Sequence, residues 1–288
     1  MELEYLTEKR ICAVCGKEFE TTITTLFGRQ FILNRYCQQC SAKLLEIEHQ
    51  KDETAKQAEI SSQRRRWREN CGISPRFMVE DFSTFKTDRP GNLTEVYRAA
   101  FDYAEQFPLD YDEYRRRTGK PYPSLLLYSP GAAGNGNGKT HLVASIAHRI
   151  IDRWNSENIA CPVRVINEPE IYDRIQLTYS YSMKEREQKQ SEQEIIDQYS
   201  RVRLLIIDDL GKVQRRDMDF VRRTLYHIIN RRYDALLPVV ITTNKNAKGL
   251  IDYLGNDAEQ ATFDRIIGMT AGKFIQVKGE SYRRNPGK

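Results

Sequence analysis

The run Gly131-Ala132-Ala133-Gly134-Asn135-Gly136-Asn137-Gly138-Lys139-Thr140 constrains this chain more than any other stretch. It follows the apolar, strand-like Leu125-Leu126-Leu127-Tyr128 and opens a helical pattern. A strand–loop–helix of this kind lets backbone N–H groups turn inward around a phosphate chain, and the helix N-terminus adds partial positive charge. In this frame Gly134, Asn135, Gly136, Asn137, Gly138, Lys139, Thr140 and His141 are the candidate ATP contacts. Lys139 is expected to reach the β- and γ-phosphates and Thr140 to ligate Mg²⁺. Strict motif spacing would place a glycine at Ala133, whereas the first glycine is Gly131, so a longer or differently wound loop is expected. Taken alone, the run also reads as a Gly/Asn-rich surface turn.

Two further segments agree with a nucleotide fold. Arg203-Leu204-Leu205-Ile206-Ile207-Asp208-Asp209-Leu210-Gly211 is a continuous apolar run that ends on two carboxylates. A strand apolar on both faces belongs inside a helix-covered parallel sheet, where ligands sit beyond the strands' carboxyl ends. Asp208 is therefore placed to hold Mg²⁺ and Asp209 to polarise the water that attacks the γ-phosphate. The competing reading is an acidic turn closing a buried strand. A third strand, Pro238 to Thr243, ends on Asn244, which can bridge water and γ-phosphate or simply form a turn. Val163–Ile166 and Phe274–Val277 read as short strands, and apolar spacing sets helices after Pro90-Gly91, after Thr140, from about Glu168 and around Val221–Leu236. The alternation predicts an α/β domain with a mostly parallel sheet.

Length and charge bound the rest. The 288 residues leave room for one such domain and a small appendage; hydrophobic content of 40% supports a core, and net charge of +5 fits an anionic polymer without demanding one. The acidic Met1–Tyr5 start has no apolar core, and no run is long enough to span a bilayer, so a cytoplasmic protein without membrane contact is expected. Cys12-x-x-Cys15 and Cys37-x-x-Cys40 form two knuckles able to share one Zn²⁺, flanking a hairpin of Glu18–Leu26 and Gln30–Tyr36 turned at Phe27-Gly28-Arg29. Disulfides are the alternative, disfavoured in a reducing compartment. Cys71 and Cys161 lack metal spacing and read as ordinary thiols.

The expected organisation is a zinc ribbon over 1–40, a charged helical linker over 41–70 and an ATPase domain over 71–288. Arg64–Arg68 with Trp67 reads as a solvated charge run or a nucleic-acid contact. Residues 108–123, with three prolines and Arg115–Arg117, read as an exposed loop. A helix near 171–199 interleaves Tyr172, Tyr179, Tyr181 and Tyr199 with Lys184, Arg186 and Lys189. It suits base stacking on single strands, or half-buried packing on the domain. Arg215, Arg216, Arg222, Arg223, Arg231 and Arg232 are expected on one outer helix face, as a DNA contact or a solvated surface.

With these residues assembled, 72–283 resembles the AAA+ ATPases of the helicase-loader and transposition-helper group, the DnaC, DnaI and IstB type. The resemblance rests on Gly138-Lys139-Thr140-His141-Leu142, Leu204 to Gly211, Ile241-Thr242-Thr243-Asn244, Ala261-Thr262-Phe263-Asp264-Arg265-Ile266-Ile267 and Ser281-Tyr282-Arg283. It implies ATP hydrolysis, with Asp208 as the Mg²⁺ carboxylate, Asp209 as the catalytic carboxylate, Asn244 as a sensor and Arg265 as an arginine finger acting on a neighbouring subunit. Arg265 also reads as a helix-surface ion-pair residue. Asp209, where many relatives outside this group carry Glu, implies slow, switch-like hydrolysis, and Arg283 is a weak second-sensor candidate. The resemblance further implies self-association into a ring or spiral and, as partners, a replicative helicase and single-stranded DNA. Two other readings stand beside the loader: a transposition regulator on duplex DNA with a transposase, and a zinc-ribbon adaptor with a weak ATPase.

Overall fold

The computed structural model describes residues 5–26, 29–32, 34–131, 136–154, 160–214, 216–255 and 261–282. The chain divides into two units, Met1–Gln63 and Arg64–Lys288. In the first, β1 (Tyr5–Ile11) pairs antiparallel with β2 (Glu18–Leu26), which pairs with β3 (Arg29–Ile32). Register places Leu6 opposite Ile23 and Ile23 opposite Ile32. The hairpin thus gains a strand ahead of it, and its second arm ends at Ile32 rather than Tyr36. Helix α1 (Gln38–Asn70) begins at the second cysteine knuckle.

The last turns of α1 belong to the larger unit, and there the solvated reading of Arg64–Arg68 fails. Trp67 is buried in a cluster with Cys71, Ile73 and Val165. Arg64 donates to the Trp154 carbonyl at 3.1 Å, and Arg68 pairs with Asp152. Only Arg65 and Arg66 in this run are exposed. The aromatic ring inside this arginine run is a core anchor.

Short apolar runs build the second unit's sheet. Among the described residues it comprises β4 (Leu125–Tyr128), β5 (Val163–Asn167), β6 (Leu204–Leu210), β7 (Val239–Thr243) and β8 (Phe274–Gln276), in the order β5-β6-β7-β4-β8 and parallel throughout. Strand side chains alternate between faces. Leu125, Leu127, Leu204, Ile206 and Val240 therefore enter one core, and Leu126, Leu205, Ile207, Val239 and Ile241 the other. The first core is covered by α2 (Leu93–Gln106) and α4 (Lys139–Arg153). The second is covered by α5 (Glu168–Tyr179), α7 (Glu192–Arg201), α8 (Met218–Asp234), α9 (Ala247–Leu254) and α10 (Ala261–Thr270). Burial on both faces explains why β4, β7 and the first half of β6 show no alternation of buried and exposed residues.

Three expectations are corrected. Residues 108–123 contain α3 (Tyr111–Thr118), capped by the Asp110 carboxylate, which accepts the Glu113 N–H, and closed by left-handed Gly119. The segment is anchored by buried Tyr111 and Tyr122, whose hydroxyls donate to the Leu236 and Tyr103 carbonyls at 2.6 and 2.7 Å.

The stretch near 171–199 is not one helix but α5, α6 (Met183–Gln188) and α7, the last two each opened by a capping box, Ser182 with Glu185 and Ser191 with Glu194. Tyr172 and Tyr199 are fully buried, so neither stacks on a base. Tyr179 is exposed, and Lys189 lies 4.8 Å from the Tyr181 ring.

The arginines on and before α8 do not share one face. Arg232 is fully buried and donates to the carbonyls of Tyr199 (2.8 Å), Val202 (2.9 Å), Ser200 and Arg203 (3.4 Å each) and Pro238. Its planar fork ends α7, using up carbonyls that a helix C-terminus leaves without partners. Arg222 donates to the Tyr253 carbonyl and Arg231 pairs with Asp197, while Arg215 lies outside the described residues.

Candidate nucleotide site and metal centre

The carboxyl ends of β4, β6 and β7 open onto one cleft, lined in part by Gly136–His141, Asp209, Lys212 and Asn244. Gly136 and Gly138 have φ of +82° and +98°, the left-handed region that glycine enters freely. A Cβ on Gly138 would lie 2.6 Å from the Phe85 ring, so the position has no room for a side chain. Gly134 and Asn135 lie outside the described residues.

Lys139 is buried, its Nζ 3.1 Å from both Ser129 Oγ and Asn137 Oδ1. Asn137 donates to Ser129 Oγ (2.6 Å) and the Val277 carbonyl (3.0 Å), and Ser129 donates to that same carbonyl. Ser129, immediately after β4, lies outside the phosphate-loop motif; a hydroxyl at that strand end is the signal that marks it. Thr140 Oγ1 donates to Asp208 Oδ2 at 2.9 Å, and Thr242 donates to Asp208 Oδ1. Burial, then the neighbouring Asp209 charge, push the Asp208 carboxyl above the ordinary range, while the two hydroxyls oppose this.

A bulge aims the second carboxylate. Ile207 pairs with Ile241 and Leu210 with Thr243, so Asp208 and Asp209 together face Thr242. The extra residue bends the strand, as bulges beside functional sites do. Asp209 adopts φ +60°, its N–H donating to Thr242 Oγ1 at 2.8 Å. Its carboxylate reaches the cleft and accepts from Lys212 Nζ at 2.6 Å.

His141 lines the cleft but faces its outer wall. Nε2 donates to the Asp81 carbonyl at 2.8 Å, and Nδ1 lies 3.5 Å from the Glu80 carboxylate. His148, two turns along α4, holds the Glu80 carbonyl through Nδ1 at 3.0 Å. The two histidines thus dock the 80–85 segment against α4. At the other end of the cleft the Tyr282 N–H donates to the Gly136 carbonyl at 2.7 Å, and Arg89 lies 3.8 Å over the Tyr282 ring. Arg265, on α10, is not among the cleft-lining residues; its guanidinium sits 5.2 and 5.8 Å from the Tyr226 and Tyr233 rings of α8. Arg283 lies outside the described residues.

In the N-terminal unit, the Sγ atoms of Cys12, Cys15, Cys37 and Cys40 all lie within 4.8 Å of one another. Tetrahedral Zn–S bonds of about 2.3 Å need sulfurs about 3.8 Å apart. Cys15 and Cys37 are 3.7 Å apart, and the Cys37 N–H points at Cys12 Sγ at 3.4 Å. That N–H holds the Cys12 thiol down, to about 6, while the hydrogen bond with Cys37 and the crowding of thiols drive Cys40 up, to about 12. Four thiolates in one sphere require a cation, so the donor set fits zinc.

A parallel sheet with a phosphate loop after β4 and paired carboxylates at the end of β6 defines a P-loop ATP-binding protein of the AAA+ class. The family model for IstB-like ATP binding protein matches residues 131–287, more than half of the chain. The chain belongs to that family. It is 25% identical over 184 residues to the replicative helicase loader DnaC of Escherichia coli K12, covering 64% of this chain. The chain spans about 63% of the length of the curated relatives it matches. The crystal structure of the DnaC helicase loader superposes with a TM-score of 0.51 at 17% identity, covering 71% of this chain and 100% of that one. A candidate primosome component from Streptococcus pyogenes serotype M3 gives 0.50 at 21% identity, covering 73% and 92%. Both share the fold. Among the described residues, no helix is long and apolar enough to cross a membrane.

Proposed function

We propose that this chain hydrolyses ATP to time the delivery of a hexameric replicative helicase onto single-stranded DNA. The observation that carries the reading is the meeting of Lys139, the Thr140–Asp208 contact, Asp209 and Asn244 at one cleft. Lys139 exchanges Ser129 and Asn137 for the β- and γ-phosphates of ATP, and Thr140 and Asp208 hold Mg²⁺. The ion spreads the charge of the phosphates when bound. Asp209 polarises the attacking water and Asn244 orients it. Arg265 acts on the nucleotide of a neighbouring subunit in a ring or spiral; such fingers are worth about 10³–10⁵ in rate in other phosphoryl-transfer enzymes. Asp209 is one methylene shorter than Glu, which favours slow turnover suited to a switch.

The zinc-bearing N-terminal unit grips the helicase, and exposed Tyr179 with the neighbouring lysines contacts the strand. Similarity to the replicative helicase loader DnaC supports a replicative helicase as the partner. The test is Mg²⁺-dependent ATP hydrolysis by wild type and Asp209→Ala, with and without single-stranded DNA, beside capture of a replicative helicase by the full chain. Equal rates in the two proteins, or no helicase capture, would sink the loader reading.

The match to the IstB-like family favours a second reading, a transposition regulator that coats duplex DNA for a transposase. ATP-dependent filaments on duplex DNA in electron micrographs, without helicase capture, would promote it.

A further inference from the structure

Glu168 opens α5, and none of its surface reaches solvent. A buried carboxylate is costly unless its oxygens are hydrogen-bonded. Here they are filled from three elements. Tyr172 of α5 and Tyr253 of α9 donate their hydroxyls to Oε1, at 2.9 and 2.5 Å, and the Gly211 N–H donates to Oε2 at 2.7 Å.

Gly211 stands two residues past Asp209, whose φ of +60° must be held by its surroundings. From the β7 side, Thr242 Oγ1 accepts the Asp209 N–H and the Thr243 hydroxyl donates to the Leu210 carbonyl at 2.6 Å. Glu168 supplies the opposing anchor. Gly211 itself has φ +93°, and a Cβ there would meet the Lys245 side chain at 2.6 Å. Lys245 Nζ in turn sits 5.4 Å from the Tyr253 ring. One carboxylate therefore ties the residues leaving β6 to the helix that follows Asn244.

We propose that Glu168 is a positioning residue for ATP hydrolysis: it fixes Gly211 and thereby the left-handed Asp209 backbone that presents the Asp209 carboxylate to the cleft. Glu168 touches no nucleotide and acts through the peptide chain alone. The inference rests on the hydrolysis reading above and goes beyond it, since nothing in the phosphate-binding or carboxylate motifs includes this residue.

The experiment compares wild type, Glu168→Ala, Glu168→Gln and Tyr253→Phe in the full chain, by steady-state Mg²⁺-ATP hydrolysis, affinity for a fluorescent ATP analogue and thermal unfolding. Glu168→Ala is expected to lower kcat by roughly tenfold or more while analogue affinity stays within about threefold. Glu168→Gln keeps a carbonyl able to accept the Gly211 N–H and is expected to recover part of the rate. Tyr253→Phe removes one donor to Oε1 and gives a smaller loss. Unchanged kcat in Glu168→Ala beside an active wild type overturns this inference alone. A kcat loss matched by an equal loss of affinity assigns Glu168 to folding and also overturns it. Should Glu168→Ala fail to fold, unchanged kcat in both Glu168→Gln and Tyr253→Phe overturns it as well. A wild type that hydrolyses nothing overturns the hydrolysis reading and this inference with it.

Discussion

The Thr140 hydroxyl donates directly to Asp208 Oδ2 at 2.9 Å, joining the start of α4 to the end of β6. These residues come from segments far apart in sequence, yet they meet before any ion is considered. Replacing Thr140 with Val keeps the shape and removes the hydroxyl. Nucleotide affinity measured by calorimetry is expected to fall about tenfold with Mg²⁺ present and little without it. Equal losses under both conditions would remove Thr140 from the magnesium site.

Lys139→Ala should weaken ATP binding by roughly 1.5–3 kcal/mol, the usual range for charge-assisted hydrogen bonds. Because Lys139 also bonds Ser129 and Asn137, thermal unfolding of the nucleotide-free protein must be measured beside the titration. Normal ATP affinity in a folded variant would mean the phosphates lie elsewhere.

Arg232 ends α7 rather than facing DNA. Arg232→Met leaves the carbonyls of Tyr199, Ser200, Val202, Arg203 and Pro238 without this donor. Each unsatisfied buried acceptor costs about 1–3 kcal/mol, so a total loss of about 3 kcal/mol or more is expected in urea unfolding. DNA affinity of the folded variant should not change. A nearly neutral substitution would contradict the capping role.

His148 gives the fold a pH edge. Its Nδ1–H is on the Glu80 carbonyl, and Nε2 is buried without a partner among the described residues. Burial first, then nearby Arg68, lower its pKa below the ordinary 6.5, with the Glu80 carbonyl, Asp152 and Asp81 opposing. A base depressed on folding contributes stability above its unfolded pKa, and that stability is lost as pH falls through the folded value. The melting temperature should therefore decline below about pH 6.5, and His148→Asn, which keeps a donor to Glu80 without the titration, should flatten the slope. Identical slopes would exclude His148 as the source.

Zinc analysis should find one ion per chain, lost in the Cys37→Ser, Cys40→Ser double variant. A chelator is expected to remove the β1–β3 signal while the unfolding transition of residues 64–288 persists, since small metal modules fold with their ion. Metal retained by the double variant would refute the four-cysteine site.

Sequence pattern served the sheet well, because β4, β6 and β7 are buried on both faces and no other strand among the described residues shows that signature. The phosphate loop and Asp208-Asp209 were legible for the same reason: their residue types recur at strand ends with a stated chemistry. Arg232, Trp67, Tyr172 and Tyr199 were not. Each belongs to a run rich in arginine or tyrosine, and composition cannot say which member of such a run turns inward. The Asp208–Asp209 bulge was equally hidden, being a property of register with β7. The breaks at Ser182 and Ser191 are legible in the sequence, since each Ser stands three residues before a Glu, although the surrounding charge equally suits a DNA-facing helix.

The contact between the Tyr282 N–H and the Gly136 carbonyl also orders events during synthesis. The phosphate loop is translated before β8 and Tyr282. Until they emerge, β4 lacks its neighbour on that side and the loop lacks the strap across Gly136. A nascent chain thus carries an ATP cleft that lacks part of its lining until β8 and Tyr282 have been translated.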